Sequence, residues 1–366
     1  MRFAEFTDEW EKYELSHFVT RITRRNKNNE SSLPLTISAQ YGLVDQISFF
    51  NKTVASVDLS GYYLLYNGDF AYNKSYSNEY AWGAVKRLDK YEKGCLSSLY
   101  FVFRPNDNVD SDYLTHYFES SKWHKGISNI AGEGARNHGL LNMAVDDYFA
   151  TKHCLPSLPE QKKIARFFNA ITRRIEIQNK IISKYETLIK GLCDMIFRYN
   201  KSVSLSDLVK CKTSALQENM VSTCHRGEYK VLGASGAIAA IDTYQFEESG
   251  ILVLKDGSKA GKIQFAQGKY SVVGTSVVLI PNEACDARYL YFAMSSIDFE
   301  KYKVGSGIPH IYFKDYSNER IYYPDKALRK KITKTLDFYE TMVEIERKML
   351  SAMQKQKAFL LQSMFI

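Results

Sequence analysis

Four short strings in this 366-residue sequence carry side chains able to do covalent or metal chemistry. Asp110-Ser-Asp112 and Glu228-Tyr-Lys230 are the kind of carboxylate strings that hold a divalent metal against a phosphodiester, and both arise readily by chance at this composition. His153-Cys154 puts a base beside a thiol, but a nucleophile needs its base in spatial contact and a third group to orient it, and none is visible. Gly257-Ser-Lys-Ala-Gly261-Lys262-Ile263 approaches a phosphate-cradling loop, yet it is one spacer residue short and lacks Ser or Thr after the lysine. Methyl transfer to an extruded adenine would need a cofactor loop and an Asn-Pro-Pro-aromatic pocket; the 7 prolines are never adjacent and no GxGxxG occurs. These strings read as turns and solvated loop charges. The sequence predicts no catalytic residue, no metal site and no cofactor bound by this chain.

Binding chemistry is better represented. Arg24, Arg25 and Lys27, followed by Asn28 and Asn29, suit phosphate oxygens. Asn73, Lys74, Ser75 and Tyr76 place an amide, a cation, a hydroxyl and a ring side by side, the donors and acceptors that base edges require. Lys255, Ser258, Lys259 and Lys262 alternate with glycines that let backbone come close to phosphate. Arg136, Asn137 and His138 sit in a Gly-flanked stretch that matches the one holding His310. For every one of these the competing reading is an exposed loop or a turn packed on its own lobe.

The elements that must position these groups come from an internal repeat. Residues 156–198 match 324–366 at a constant offset of 168, with ten identities that include Pro156/Pro324, Lys162/Lys330, Ile164/Ile332, Leu192/Leu360 and Phe197/Phe365. Background frequencies would give about three. In the first copy Ile164, Phe168, Ile171 and Ile175, then Ile182, Tyr185 and Ile189, recur at steps that alternate four and three; in the second, Leu336, Val343, Leu350 and Leu360 continue the register. Gln178 interrupts the first stripe, Glu346 and Lys357 the second. Such spacing predicts two long helices paired along a coiled-coil seam, each a rod of about 58 Å. Ser157 with Glu160 forms a capping-box pattern at the first helix start, and Asp325 takes the cap position of the second.

Each helix follows a stretch of short apolar runs broken by Gly, Asn, Asp and Pro, which reads as strands and turns. These lobes hold 24 of the 26 tyrosines. Leu35 to Val44 echoes Tyr229 to Ile238, and Gly132 to His138 echoes Gly305 to His310. The expected fold is therefore α/β (α+β): two globular lobes, each followed by a long helix, the helices pairing antiparallel in a pseudo-twofold repeat. Such an object suits a duplex read at two places, separated by at most ~17 base pairs if the helices act as a spacer.

Hydrophobic content of 45% and charged content of 25% exclude wholesale disorder. The 6 scattered cysteines fit reduced thiols, and no apolar run approaches a membrane span, so a cytoplasmic chain with no membrane partner is expected. The net charge of +8 resides in the helices: residues 159–197 and 326–366 carry +4 and +5, against −2 for residues 1–158 and +1 for 198–325.

The run LPSLPEQKKIARFFNAITRRIEIQNKIISKYETLIKGLCDMIF (155–197) resembles the helix shared by specificity (S) subunits of type I restriction-modification systems. LPLTISAQYGLVDQI (33–47) with FAYNKSYSNEYAWGAVKRL (70–88), and VLKDGSKAGKI (253–263) with GSGIPH (305–310), resemble that family's two target-recognition domains. One departure is Asp325-Lys326-Ala327-Leu328-Arg329, which replaces the Leu-Pro-Glu-Gln opening at the second helix. The resemblance implies target-recognition domains at 1–155 and 199–325, with spacer helices at 156–198 and 326–366. It implies a non-catalytic subunit that reads a bipartite target in double-stranded DNA and holds two adenine-N6 methyltransferase subunits, to which restriction/translocase subunits add. S-adenosylmethionine, ATP and Mg would belong to those partners. The other readings are a stand-alone nuclease or methyltransferase with a divergent site, and a coiled-coil scaffold that binds no DNA.

Overall fold

Aromatic and aliphatic residues alternate in the first lobe's central strands, and Val, Ile and Leu fill those of the second, so both sheets are apolar on both faces and each must be covered twice. The computed structural model describes residues 1–366 except 53, 133–138, 200–201, 222–225, 284–285 and 306. It divides into two compact units, Met1–Gln178 with Met349–Ile366, and Asn179–Lys348.

In the first unit an antiparallel sheet runs in the order Val19–Arg21, Phe101–Pro105, Phe70–Asn73, Ala84–Arg87. Phe70, Tyr72, Phe101 and Phe103 face a core that contains Tyr113, Tyr117, Trp123 and Tyr148. Ala71 and Val102, one residue out of phase, face a second cluster with Leu35, Ile37, Leu43 and Leu96. The hairpin Leu35–Ser38 with Gly42–Asp45 contributes to that second layer. Glu11–Glu14 pairs with Lys152–Leu155, which joins the first strand of the lobe to the strand just before the long helix.

The second unit repeats this order with Val209–Thr213, Ser276–Pro281, Gly250–Leu254 and Ile263–Ala266. Ile251, Val253, Val277 and Leu279 pack under the helix Ala287–Met294. Leu252, Val278 and Ile280 face the opposite cluster with Phe246, Tyr270 and Val272. Tyr229–Gly233 and Gly236–Ile241 form a hairpin, so the echo noted in the sequence falls on a hairpin in both lobes. Val203–Ser204 pairs with Arg320–Ile321, again first strand to last. One repeat escaped the sequence reading: Leu15-Ser-His-Phe-Val19 and Leu205-Ser-Asp-Leu-Val209 both form a single helical turn leading into a strand, with Leu15 and Leu205 fully buried.

The two long helices span Leu158–Phe197 and Lys326–Met364. Within the first unit Ile164 and Phe168 share the core with Leu360, Leu361 and Phe365, and the rings of Phe168 and Phe365 stack at 5.7 Å. Within the second unit Cys193 and Phe197 share the core with Ile332 and Leu336, and Tyr185 meets Tyr339 at 6.4 Å. Ile182 and Val343 are buried; Ile175, Ile189 and Leu350 are half-buried. Late residues of one helix meet early residues of the other, so the pairing in each unit is antiparallel. Lys357 leaves the stripe to bind Glu119 at 2.9 Å.

The helix starts are built differently. Asp325 caps as expected, its carboxylate accepting from Leu328 N at 3.0 Å. Glu160 does not serve a capping box. Its carboxylate is fully buried and accepts from the Arg2 guanidinium at 2.7 and 2.6 Å, a partner far upstream that local spacing does not reveal. Gln161 donates to Pro156 O and accepts from Asp110 N, both at 2.9 Å. Arg329, at the same repeat position, donates to Pro324 O at 2.7 Å and to both carboxylate oxygens of Asp286 at 3.0 Å. The departure from the repeat at the second helix thus replaces a neutral amide by a buried ion pair that ties the same points together.

Candidate nucleic-acid interface

The residues that end the third strand of each sheet lie on one repeated backbone frame. In the second lobe Lys255 follows Gly250–Leu254, and the next residues pair with segment 309–311: Gly257 N donates to Pro309 O and Ile311 N donates to Lys255 O, both at 2.9 Å. Asp256 lies directly opposite His310. In the first lobe Lys74 follows Phe70–Asn73, Tyr76 N donates to Gly139 O and Leu141 N donates to Lys74 O, both at 3.0 Å, and Ser75 lies opposite Leu140. The return strand begins after Gly83 (φ +77°) in one lobe and Gly261 (φ +89°) in the other, where a left-handed backbone favours glycine. A side chain at Gly83 would meet Asn73 O at 2.1 Å, and one at Gly261 would meet Phe299 Cβ at 2.5 Å. Both lobes therefore present a lysine and a short two-stranded ladder at the same sheet position.

Around this frame the second lobe gathers its candidates. Ser258, Lys259 and Lys262 are exposed, and with Asp298, Glu300 and Lys303 they line a cleft of about 530 Å³. Among the described residues neither Lys259 nor Lys262 forms an ion pair, whereas Lys303 is paired with Glu300 at 2.6 Å. Lys255 is half-buried with its ammonium 3.9 Å from Asp256. Its Gly-rich neighbourhood is a turn between two sheet strands, not a phosphate loop leading into a helix.

The first lobe splits its candidates between opposite ends of strand Phe70–Asn73. At one end Arg24 donates to Leu64 O at 2.7 Å, pairs with the buried Asp69 and lies over the Tyr66 ring at 4.3 Å. Arg104 holds the other oxygen of Asp69 at 2.6 Å. Arg25 donates to Gly61 O at 2.7 Å and stacks on Tyr63 at 4.1 Å. Lys27 is exposed and, among the described residues, forms no ion pair. At the other end Asn73 accepts from Ser75 N at 2.9 Å, Lys74 lies 4.7 Å over the Phe101 ring and Tyr76 is 38% exposed. Burial draws the Lys74 ammonium below the ordinary lysine range. Arg136, Asn137 and His138 lie outside the described residues. The ladder also corrects the register of the Gly-flanked echo: the residue at His310's place in the first lobe is Leu140, not His138.

The strings with catalytic side chains have structural partners. Asp110 caps the helix Ser111–Tyr117 through Tyr113 N at 2.9 Å, and Asp112 binds Arg87 at 2.7 Å and Asn169 at 2.8 Å. Glu228 accepts a hydrogen bond from Tyr229, which raises the phenol's pKa. His153 is buried between Tyr117 Oη and Thr151 Oγ1, both at 2.8 Å, and burial holds its imidazole down at about 4. Cys154 follows it on a strand, where successive side chains point to opposite faces.

The arrangement can clamp a polyanion and present side chains to it. Residues 199–354 match the family described as type I restriction modification DNA specificity domain. The specificity subunit of type I restriction enzyme MjaVIII from Methanocaldococcus jannaschii is 28% identical over 122 residues, a match that spans 32% of this chain and 28% of that subunit. Along its whole length the chain is similar to the crystal structure of a type I restriction-modification S subunit from M. genitalium, with a TM-score of 0.60 at 15% identity, covering 100% of this chain and 99% of that one. A chain from a second type I R-M structure, concerned with complex assembly and conformational transition, gives 0.57 at 15% identity over 98% and 97%. Two mixed lobes, each followed by a long helix, thus define the S-subunit fold. The match to that specificity-domain family lies in residues 199–354, and the whole chain shares the fold of these S subunits.

Proposed function

We propose that the chain is the non-catalytic DNA-recognition subunit of a type I restriction-modification complex. Each lobe reads one half of a bipartite duplex target, residues 1–155 one half and 199–325 the other, while the helices at 156–198 and 326–366 set the unread gap. The chain positions two adenine-N6 methyltransferase subunits, with restriction/translocase subunits joining them in the cytoplasm. Those partners, not this chain, use S-adenosylmethionine, ATP and Mg. The observation that carries the reading is the repeated frame: Lys74 and Lys255 follow the same sheet strand in each lobe, each locked by the same pair of backbone bonds. A protein that reads two half-sites needs two such surfaces; a scaffold or a single-site enzyme does not.

DNA contact is assigned to Lys27, Asn73, Lys74, Ser75 and Tyr76 in the first lobe and to Lys255, Ser258, Lys259 and Lys262 in the second, where His310 stands opposite Asp256 on the ladder. Arg24 and Arg25 serve there mainly by shaping the adjoining loop. Because the lobes are nearly neutral, affinity depends on these local cations and on partner subunits. Co-production with the methyltransferase subunits of the same system, followed by mapping of methylated adenines, will give a two-part motif with a fixed gap. Inserting one heptad between Ile182 and Ile189 together with a matching heptad in the second helix will widen the gap and leave both halves unchanged. A continuous motif, or none, refutes the proposal.

A further inference from the structure

The ladders of the two lobes share their backbone bonds and differ at the central cross-strand pair, which is Ser75 with Leu140 in one and Asp256 with His310 in the other. Opposed residues in an antiparallel ladder place their side chains on the same face. His310 Nδ1 lies 2.8 Å from Asp256 Oδ1, and the side chains remain 40% and 32% exposed. The pair is fixed by this contact and still open to solvent. Its neighbours in the loop are Lys255, Lys259 and Lys262.

A carboxylate among these lysines is unsuited to a phosphate, which it repels. It accepts hydrogen bonds only, and in the major groove the donors on base edges are the exocyclic amino groups of cytosine and adenine. Adenine offers an acceptor, N7, beside its amino group, which a carboxylate cannot satisfy; cytosine N4 needs an acceptor alone. We propose that Asp256, oriented by His310, accepts a hydrogen bond from the N4 amino group of a cytosine and so specifies a C·G pair at one position of the half-site read by the second lobe. His310 is a positioning residue: its ring holds one carboxylate oxygen, and the other, which has the Lys255 ammonium 3.9 Å away, is the one that meets the base. The first lobe has the same frame without this pair and reads a different sequence. The proposal rests on the DNA-recognition reading above.

The test uses the full chain with its own methyltransferase subunits and maps methylation motifs for wild type, Asp256→Asn, Asp256→Ala, His310→Ala and His310→Asn. The wild type is expected to require C·G at a position where both Asp256 variants lose discrimination about tenfold to a hundredfold, with the other half of the motif unchanged. His310→Ala relaxes the same position less, and His310→Asn, which keeps a donor, restores part of it. Unchanged motifs for both Asp256 variants overturn the proposal while leaving the functional reading intact. So does methylation weakened equally at all sites, which marks the pair as a tie between loops. A wild-type complex with no defined motif overturns both.

Discussion

The two lobes place like elements in like order and hold them with unlike chemistry. At the helix starts, the first lobe ties Pro156 and Asp110 together through the neutral Gln161, and the second ties Pro324 and Asp286 together through Arg329. On the ladder, Ser75 and Leu140 stand where Asp256 and His310 stand. The geometry of each joint is what the repeat preserves; the side chains that make it are free to change as long as donors and acceptors balance.

The sharpest way to break the comparison is at the ion pair. Arg329 and Asp286 keep only 8% and 5% of their side-chain surface, so Arg329→Ala leaves a buried carboxylate uncompensated and is expected to destabilise the second unit by about 3–5 kcal/mol in urea denaturation. A loss near zero would show that the charge is not needed there. Next in size is an acid sensitivity confined to the first unit. Burial lowers the His153 imidazole from 6.5 to about 4, so between those values the unfolded chain binds a proton that the folded unit excludes. Its contribution is fully present above about pH 6.5 and falls away as pH drops towards 4, by about 3 kcal/mol. His153→Gln should flatten that slope in denaturant midpoints measured across the range. Gln161→Ala removes only neutral hydrogen bonds and should cost about 1–3 kcal/mol; a cost equal to that of Arg329→Ala would erase the distinction between the joints. The smallest effect is on binding: Lys74→Ala and Lys255→Ala should each weaken the assembled complex for all sequences alike and reduce its salt slope by about 1, with the motif unchanged.

The long helices were legible because a seam of period 3.5 is a local signal, and Asp325 because a cap lies three residues from the amide it serves. Partners distant in sequence were not legible. Glu160 looked like a capping residue because Arg2 lies 158 positions away, and Arg24 looked like an open cation because Asp69 lies 45 positions away. The Gly-flanked echo was visible, but glycine spacing does not fix strand register; the bonds from Gly257 and Ile311 do. The Leu-Ser-x-x-Val repeat was too short to stand out without the turn it forms. Of the candidate interface, the lysines on the second lobe's loop stand out in the sequence, whereas a lone acid beside lysines, as Asp256 is, reads as a solvated charge until the cross-strand pairing with His310 is known.

The strand that opens each lobe is hydrogen-bonded to the strand that closes it, Glu11–Glu14 to Lys152–Leu155 and Val203–Ser204 to Arg320–Ile321. Paired strands lie about 4.8 Å apart, so each lobe leaves its sheet almost where it entered. Such a body is a cassette with a single gate. Its entry and exit could be spliced by a short linker and new termini opened in a surface turn, giving a circularly permuted lobe with its core intact. The same gate would let a foreign lobe be grafted between the helices through two neighbouring seams.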